Sequence, residues 1–196
     1  IALVLSDIDK LIEQLETLIE KKKNIKQGAM QELLTGKRRL GEFDDDWSQK
    51  CIEELTETPI TDGPHETPNF LSSGVPFLSV DNIIDNKIDF TNTRFISKED
   101  HQEFSKKCKP KKNDLLLGKA ASVGKVAHVE TDLEFNVWSP LAVIRLKNQY
   151  NTLFFYYYFQ SKLFFDELKR ITNASTQGNI GMKDIKKIHC IFPPKL

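Results

Sequence analysis

Residues 18–40 read LIEKKKNIKQGAMQELLTGKRRL, the end of a heptad-patterned segment that turns basic and stops at a glycine. The rest of the chain is organised by whether this stretch is a phosphate-gripping face or a spacer. Upstream, Ile1, Ile8 and Leu15 fall in one column, Val4, Leu11, Leu18 and Ile25 in a second, and Leu5, Ile12 and Ile19 in a third. Such a stripe belongs to one face of a single long helix. After Ile25 the register shifts to Met30, Leu33 and Leu34, and Gly36 offers a C-terminal stop ahead of Lys37, Arg38 and Arg39. The helix should run for about 34 residues, roughly 50 Å. No small domain needs a helix that long for its own core, so a coiled-coil arm is expected, with Val4, Ile8, Leu11, Leu15, Leu18 and Ile25 as its seam. Lys21, Lys22, Lys23 and Lys26 point in different directions around the helix and build no groove-facing stripe. Base reading favours Arg, Asn or Gln on one face; these flexible ammonium groups read as a solvated surface, with nonspecific phosphate contact as the alternative.

Beyond the helix, the length of 196 residues leaves room for one ordinary domain. An apolar fraction of 39% beside 29% charged residues is that of a water-soluble protein, and no run of about 18 apolar residues suggests a membrane span. The opening within a heptad and the closing IFPPKL lead us to expect a longer parent. Cys51, Cys108 and Cys190 are odd in number and widely spaced, which fits idle thiols in a reducing cytoplasm. His65, His101, His128 and His189 lack the paired spacing of a zinc site, so no metal is expected. The net charge of zero hides a division: residues 1–40 carry a net +2, residues 41–100 a net −10 and residues 101–196 a net +8. A phosphate-binding patch would draw mainly on the C-terminal block, unless folding interleaves the blocks.

The acidic run Asp44, Asp45 and Asp46 reads as a linker over 41–46, with Trp47 as the anchor of the next domain. From there the period changes to two, and strands are expected over 75–80, 87–96, 114–118, 124–129 and 135–146. Ser97 should cap a short helix, residues 151–171 should form a helix buried on most faces, and 182–194 a helical turn leading into a strand and a Pro-Pro exit. The fold class is α+β: a long N-terminal coiled-coil helix followed by a mixed α/β domain.

No amino-methyltransferase motif, glycine-rich cofactor loop, P-loop or nuclease carboxylate set is present, so the chain is expected to be no enzyme and to need no cofactor. Three loops draw attention instead. In DLLLGKAASVGKVAHV, 114–129, small residues between Gly118 and Gly124 allow close approach to another surface, with Ser122 available and Lys119 and Lys125 flanking. A compact hairpin with incidental lysines is the alternative. In PITDGPHETPNF, 59–70, Thr61, His65 and Thr67 can hydrogen-bond, and in NASTQGNIG, 173–181, Gln177 and Asn179 carry amides suited to adenine. Lys111 and Lys112 are candidate phosphate anchors.

Taken together, the helix VLSDIDKLIEQLETLIEKKKNIKQGAMQELLTGKRRL, the stretch DGPHETPNFLSSGVPFLSVDNI, the loop DLLLGKAASVGKVAHV and the closing STQGNIGMKDIKKIHCIFPP resemble a type I restriction-modification specificity subunit. The resemblance implies that residues 1–40 are the spacer helix of that family and residues 47–196 a target recognition domain. It further implies that the domain reads one half of a split sequence in double-stranded DNA and that the helix docks methyltransferase subunits and, through them, restriction subunits. Subunits of this family pair two such helices and two such domains, whereas this sequence holds one of each. A homodimer through residues 1–34 is therefore expected, in the cytoplasm. A coiled-coil protein-interaction module without DNA binding is the alternative.

Overall fold

A computed structural model describes residues 1–41, 45–173 and 179–194. The heptad segment forms one helix, α1 (Ala2–Leu33), with no buried residue along its length. Its end is closed by Gly36 at φ +68°, where Gly36 N donates to Leu33 O and Arg38 N to Glu32 O. A β-carbon at Gly36 would stand 3.2 Å from the Trp47 ring, which also meets Phe154 edge-on. The expected anchor thus fastens the helix end to the domain. Met30 and Leu34 pack into the core there, and the apolar stripe before them stands free.

The domain continues with β1 (Ser48–Cys51), α2 (Ile52–Leu55), β2 (Thr61–Asp62), β3 (Val75–Leu78), a 3-10 turn (Val80–Asn82), β4 (Ile83–Ile84), β5 (Lys87–Ile88), β6 (Arg94–Ile96) and α3 (Lys98–Lys107). Then come β7 (Leu115–Gly118), β8 (Val126–His128), β9 (Asn136–Val137), β10 (Leu141–Ile144), α4 (Thr152–Tyr158), α5 (Lys162–Asn173), α6 (Met182–Lys186) and β11 (His189–Phe192). At its centre lies an antiparallel sheet in the order β2-β10-β7-β8. Leu115, Leu117, Val126, Ala142 and Ile144 face a core built with Ile52, Phe155, Phe159, Phe164, Ile185 and Phe192. The alternate residues Leu116, Ala127, Leu141 and Val143 face a second core with Leu78, Val80, Phe135 and Val137. A sheet covered on both faces explains why β7 is a continuous apolar run and not an alternating one. Over the second core lies a sheet in the order β6-β3-β9, with β3 and β9 parallel. The β1-β11 ribbon joins the two ends of the domain.

The α+β class and the long helix stand as expected, but three long elements are divided. The 87–96 segment breaks where the Asp89 carboxylate takes the Thr91 N–H at 2.9 Å, turning the chain between β5 and β6. The 135–146 segment breaks at Ser139-Pro140, because proline has no N–H for a ladder, and β9 and β10 join different sheets. The aromatic helix breaks at Ser161, whose hydroxyl caps α5 by accepting the Phe164 N–H at 3.4 Å. As expected, Ser97 caps α3, its hydroxyl accepting the Asp100 N–H at 2.9 Å. Among the described residues no helix is long and apolar enough to cross a membrane. The three cysteines are free thiols: Cys108 and Cys190 are buried, which pushes both thiols up, and Cys51 is half-buried.

Candidate functional site

The antiparallel arrangement of β2, β10 and β7 brings the end of β7 beside the starts of β8 and β10, and two of the three loops marked in the sequence emerge there. Their meeting point is Asp62, only 7% exposed, which receives Lys107 Nζ on one carboxylate oxygen at 2.7 Å and Lys119 Nζ on the other at 3.1 Å. Burial alone would raise this carboxyl, but hydrogen bonds from Lys107 and Lys119 hold it below the usual carboxylate range. Backbone bonds extend the junction. Lys119 N donates to Pro140 O at 2.9 Å, Ser139 N to Pro64 O at 3.2 Å, and Ile180 N to Lys119 O at 2.8 Å. Through Ile180, the described end of the third loop reaches the same place. Gly63 is packed so tightly that a β-carbon would lie 1.6 Å from Val137 O, so only glycine lets the two backbones meet.

The expected contacts take different places in this packing. Lys119 is only 12% exposed and holds Asp62, so its charge is used inside the protein. Thr61 lies half-buried in β2 opposite Val143. His65 and Thr67 are exposed, His65 Nε2 standing 3.5 Å from Asp62. Asn179 is exposed, and Gln177 lies outside the described residues. The 118–125 segment closes as a compact hairpin. Gly118 N donates to Lys125 O, Gly124 N to Gly118 O and Ser122 N to Ala120 O, so N–H groups expected to meet phosphate are occupied internally. Ala121 adopts φ +62°, a strained conformation for a residue with a side chain, and Ser122 and Lys125 are half-buried beside it. Lys125 Nζ donates to Val80 O at 3.5 Å.

Lys111 and Lys112 sit before β7, at the opposite end of the central sheet. Lys111 N donates to Asp114 Oδ2 at 2.7 Å, and Asp114 in turn binds Arg145 through both oxygens at 2.8 and 2.7 Å. The Lys112 ammonium pairs with Asp132. Among the described residues, Lys111 and Lys112 thus lie at the opposite end of the central sheet from Lys119.

Sequence reasoning missed an aromatic cluster that adjoins the junction. Trp138 follows β9, its N–H donating to Leu78 O at 2.8 Å, and it leads directly into the Ser139-Pro140 bend. Its ring lies 6.4 Å from Phe70 and 6.3 Å from Phe77. Arg94, opposite Phe77 in the β3-β6 ladder, places its guanidinium carbon 4.8 Å from the Phe70 ring centre and 5.9 Å from that of Trp138. No sequence signal marked it, since Arg94 stands in the acidic block and its aromatic neighbours lie 24 and 44 positions away.

The family profile of the type I restriction modification DNA specificity domain matches residues 44–195. The chain belongs to that family. The family is non-catalytic, its role being specificity. The chain is 22% identical over 211 residues to the type I restriction enzyme EcoBI specificity subunit of Escherichia coli, covering 97% of this chain and 44% of that protein. It is similar in fold to the type I restriction-modification system S subunit from M. genitalium, with a TM-score of 0.68, 16% identity and coverage of 98% of this chain and 48% of that one. The HsdS subunit from Thermoanaerobacter tengcongensis gives a TM-score of 0.58 at 18% identity, covering 94% of this chain and 43% of that one. The chain therefore spans less than half the length of these relatives.

Proposed function

We propose that this chain is a sequence-specific DNA recognition module of a type I restriction-modification system, reading one half of a split target and directing methyltransferase and restriction subunits to it in the cytoplasm. The observation that carries this reading is the meeting of the 61–65, 118–125 and 179–181 segments at one end of the central sheet, in a domain of the specificity family. Residues 47–196 act as the target recognition domain, residues 41–46 as linker and residues 1–40 as a spacer. His65, Thr67 and Asn179 are the exposed contacts at the loop end, with Gln177 beside them in sequence. Thr61, Lys119, Ser122 and Lys125 shape the surface from within. Lys111 supplies a phosphate contact at the other end of the sheet, with Lys112 contributing what its pairing to Asp132 leaves. The apolar seam of α1 pairs with a second copy.

The test is salt-titrated fluorescence anisotropy and selection against a randomised duplex pool, with and without the cognate methyltransferase subunit. The expected result is enrichment of a short motif, appearing twice in mirrored copies if the chain pairs through α1. Absence of enrichment under both conditions would refute DNA recognition and favour a coiled-coil protein-interaction module, which the acidic 41–100 block also suits.

A further inference from the structure

Five arginines occur in the chain, and four have an evident internal role. Arg145 holds Asp114, Arg170 holds Glu167, Arg38 lies near Glu32, and Arg39 donates to Asp45 O. Arg94, exposed like Arg38, Arg39 and Arg170, differs in that its guanidinium has, among the described residues, neither a carboxylate oxygen within ion-pair distance nor a hydrogen-bond acceptor. It rests instead on Phe70 and Trp138. An arginine seated on two aromatic rings loses little further freedom when its N–H fork forms hydrogen bonds, because its plane is already oriented. The seat is rigid from behind, since Phe77 is buried and packs on Phe70, Trp138 and Phe104.

Its position gives this side chain a use. Trp138 is continuous with Ser139 and Pro140, which bond to Pro64 and Lys119, so the Arg94 seat adjoins the loop junction through the chain at 138–140. Beside it opens a cavity of about 280 Å³ whose lining includes Arg94, Trp138, Asn92 and Asp81. A bare phosphate anchor would need no aromatic seat and gains little from Asp81 nearby. A planar fork beside a carboxylate and an amide is suited to the edges of bases.

We propose that Arg94 is a guanine-reading residue of this domain, its guanidinium presented by Phe70 and Trp138 to the O6 and N7 acceptors of one guanine in the major groove. The inference rests on the DNA-recognition reading above and deepens it to one base pair. Bidentate geometry is what arginine supplies and lysine does not.

The experiment compares the wild-type chain with Arg94→Ala, Arg94→Lys and Trp138→Leu in the duplex selection, with the methyltransferase subunit present. Each variant is checked by circular dichroism and thermal melting. The expected outcome is that Arg94→Ala and Arg94→Lys both keep the wild-type melt and lose discrimination at a single G·C pair by about 5- to 150-fold, other positions being unchanged. Trp138→Leu should weaken the same position less. Replacing that guanine with 7-deazaguanine should weaken the wild type and leave Arg94→Ala unaffected, an interaction that a fold defect cannot imitate. If Arg94→Ala weakens all sequences alike, or leaves the preference intact, the proposal is overturned and the wild-type motif still stands. A wild-type chain that enriches no motif fails at the earlier reading and removes the basis of this one.

Discussion

Asp62 is the residue on which the loop end depends most. Its carboxylate joins β2 to Lys107 at the end of α3 and to Lys119 at the end of β7, so one charge sets the spacing of three elements. Replacing Asp62 with Asn removes two charge-assisted bonds and leaves the Lys119 ammonium enclosed. The expected loss is about 2–3 kcal/mol at neutral pH, moderated because Lys107 remains half exposed. The folded carboxyl is held below its unfolded value of about 3.9. Its stabilising contribution is therefore complete above that value and is lost as the pH falls through the depressed folded value. Urea midpoints of wild type and Asp62→Asn should differ by a constant amount above about pH 5 and draw together progressively as the pH falls below about 4. A gap that does not narrow at all over that range would mean that the loss comes from packing and not from the charge. Neither Asp62 nor Lys107 stood out in the sequence, because an aspartate in a Pro- and Gly-rich loop reads as a turn former until its distant lysines are known.

The elements differ in how openly the sequence announced them, and burial explains the difference. The stripe of α1 repeats over many turns and needs no tertiary information, so its extent was readable to within a few residues. The β7 and β8 strands were equally plain, since their apolar runs face two cores. By contrast β1, the sequence Ser-Gln-Lys-Cys, has no alternation and exists only because it pairs with β11. The breaks within 87–96, 135–146 and 151–171 each depend on one side chain or one proline, which periodicity averages away. For α1 the absence of buried residues makes a clean prediction possible. Leu11 and Leu18 are 55% and 48% exposed, so Leu11→Asp with Leu18→Asp removes no contact within the domain. The wild-type chain should sediment as a dimer at tens of micromolar, and the double variant as a monomer with an unchanged domain melt. A wild type that remains monomeric would exclude pairing through this face and leave the stripe for another partner.

Across the whole molecule, folding interleaves the charge blocks that the sequence keeps apart. Lys107 and Lys119 meet Asp62, and Lys186 meets Glu53, so basic residues of the C-terminal half are partly neutralised by the acidic block. The +8 of residues 101–196 is therefore offset in part by ion pairs to the acidic block. Affinity for random DNA depends on how many cations release counterions, with a slope of about −0.9 in log K against log salt for each phosphate neutralised. With so many ammonium groups engaged internally, the isolated chain should show a slope no steeper than about −3, corresponding to roughly three phosphates. Lys111 is exposed, and its ammonium has no carboxylate partner among the described residues, so Lys111→Ala should flatten the slope by about one unit for every sequence alike. Lys112→Ala should change it less, since Asp132 already holds that charge. A slope near −6 or steeper would mean that the ion pairs formed within the protein give way when DNA binds. A shallow slope together with strong motif enrichment would place the discrimination in the uncharged loop contacts and the Arg94 fork proposed above.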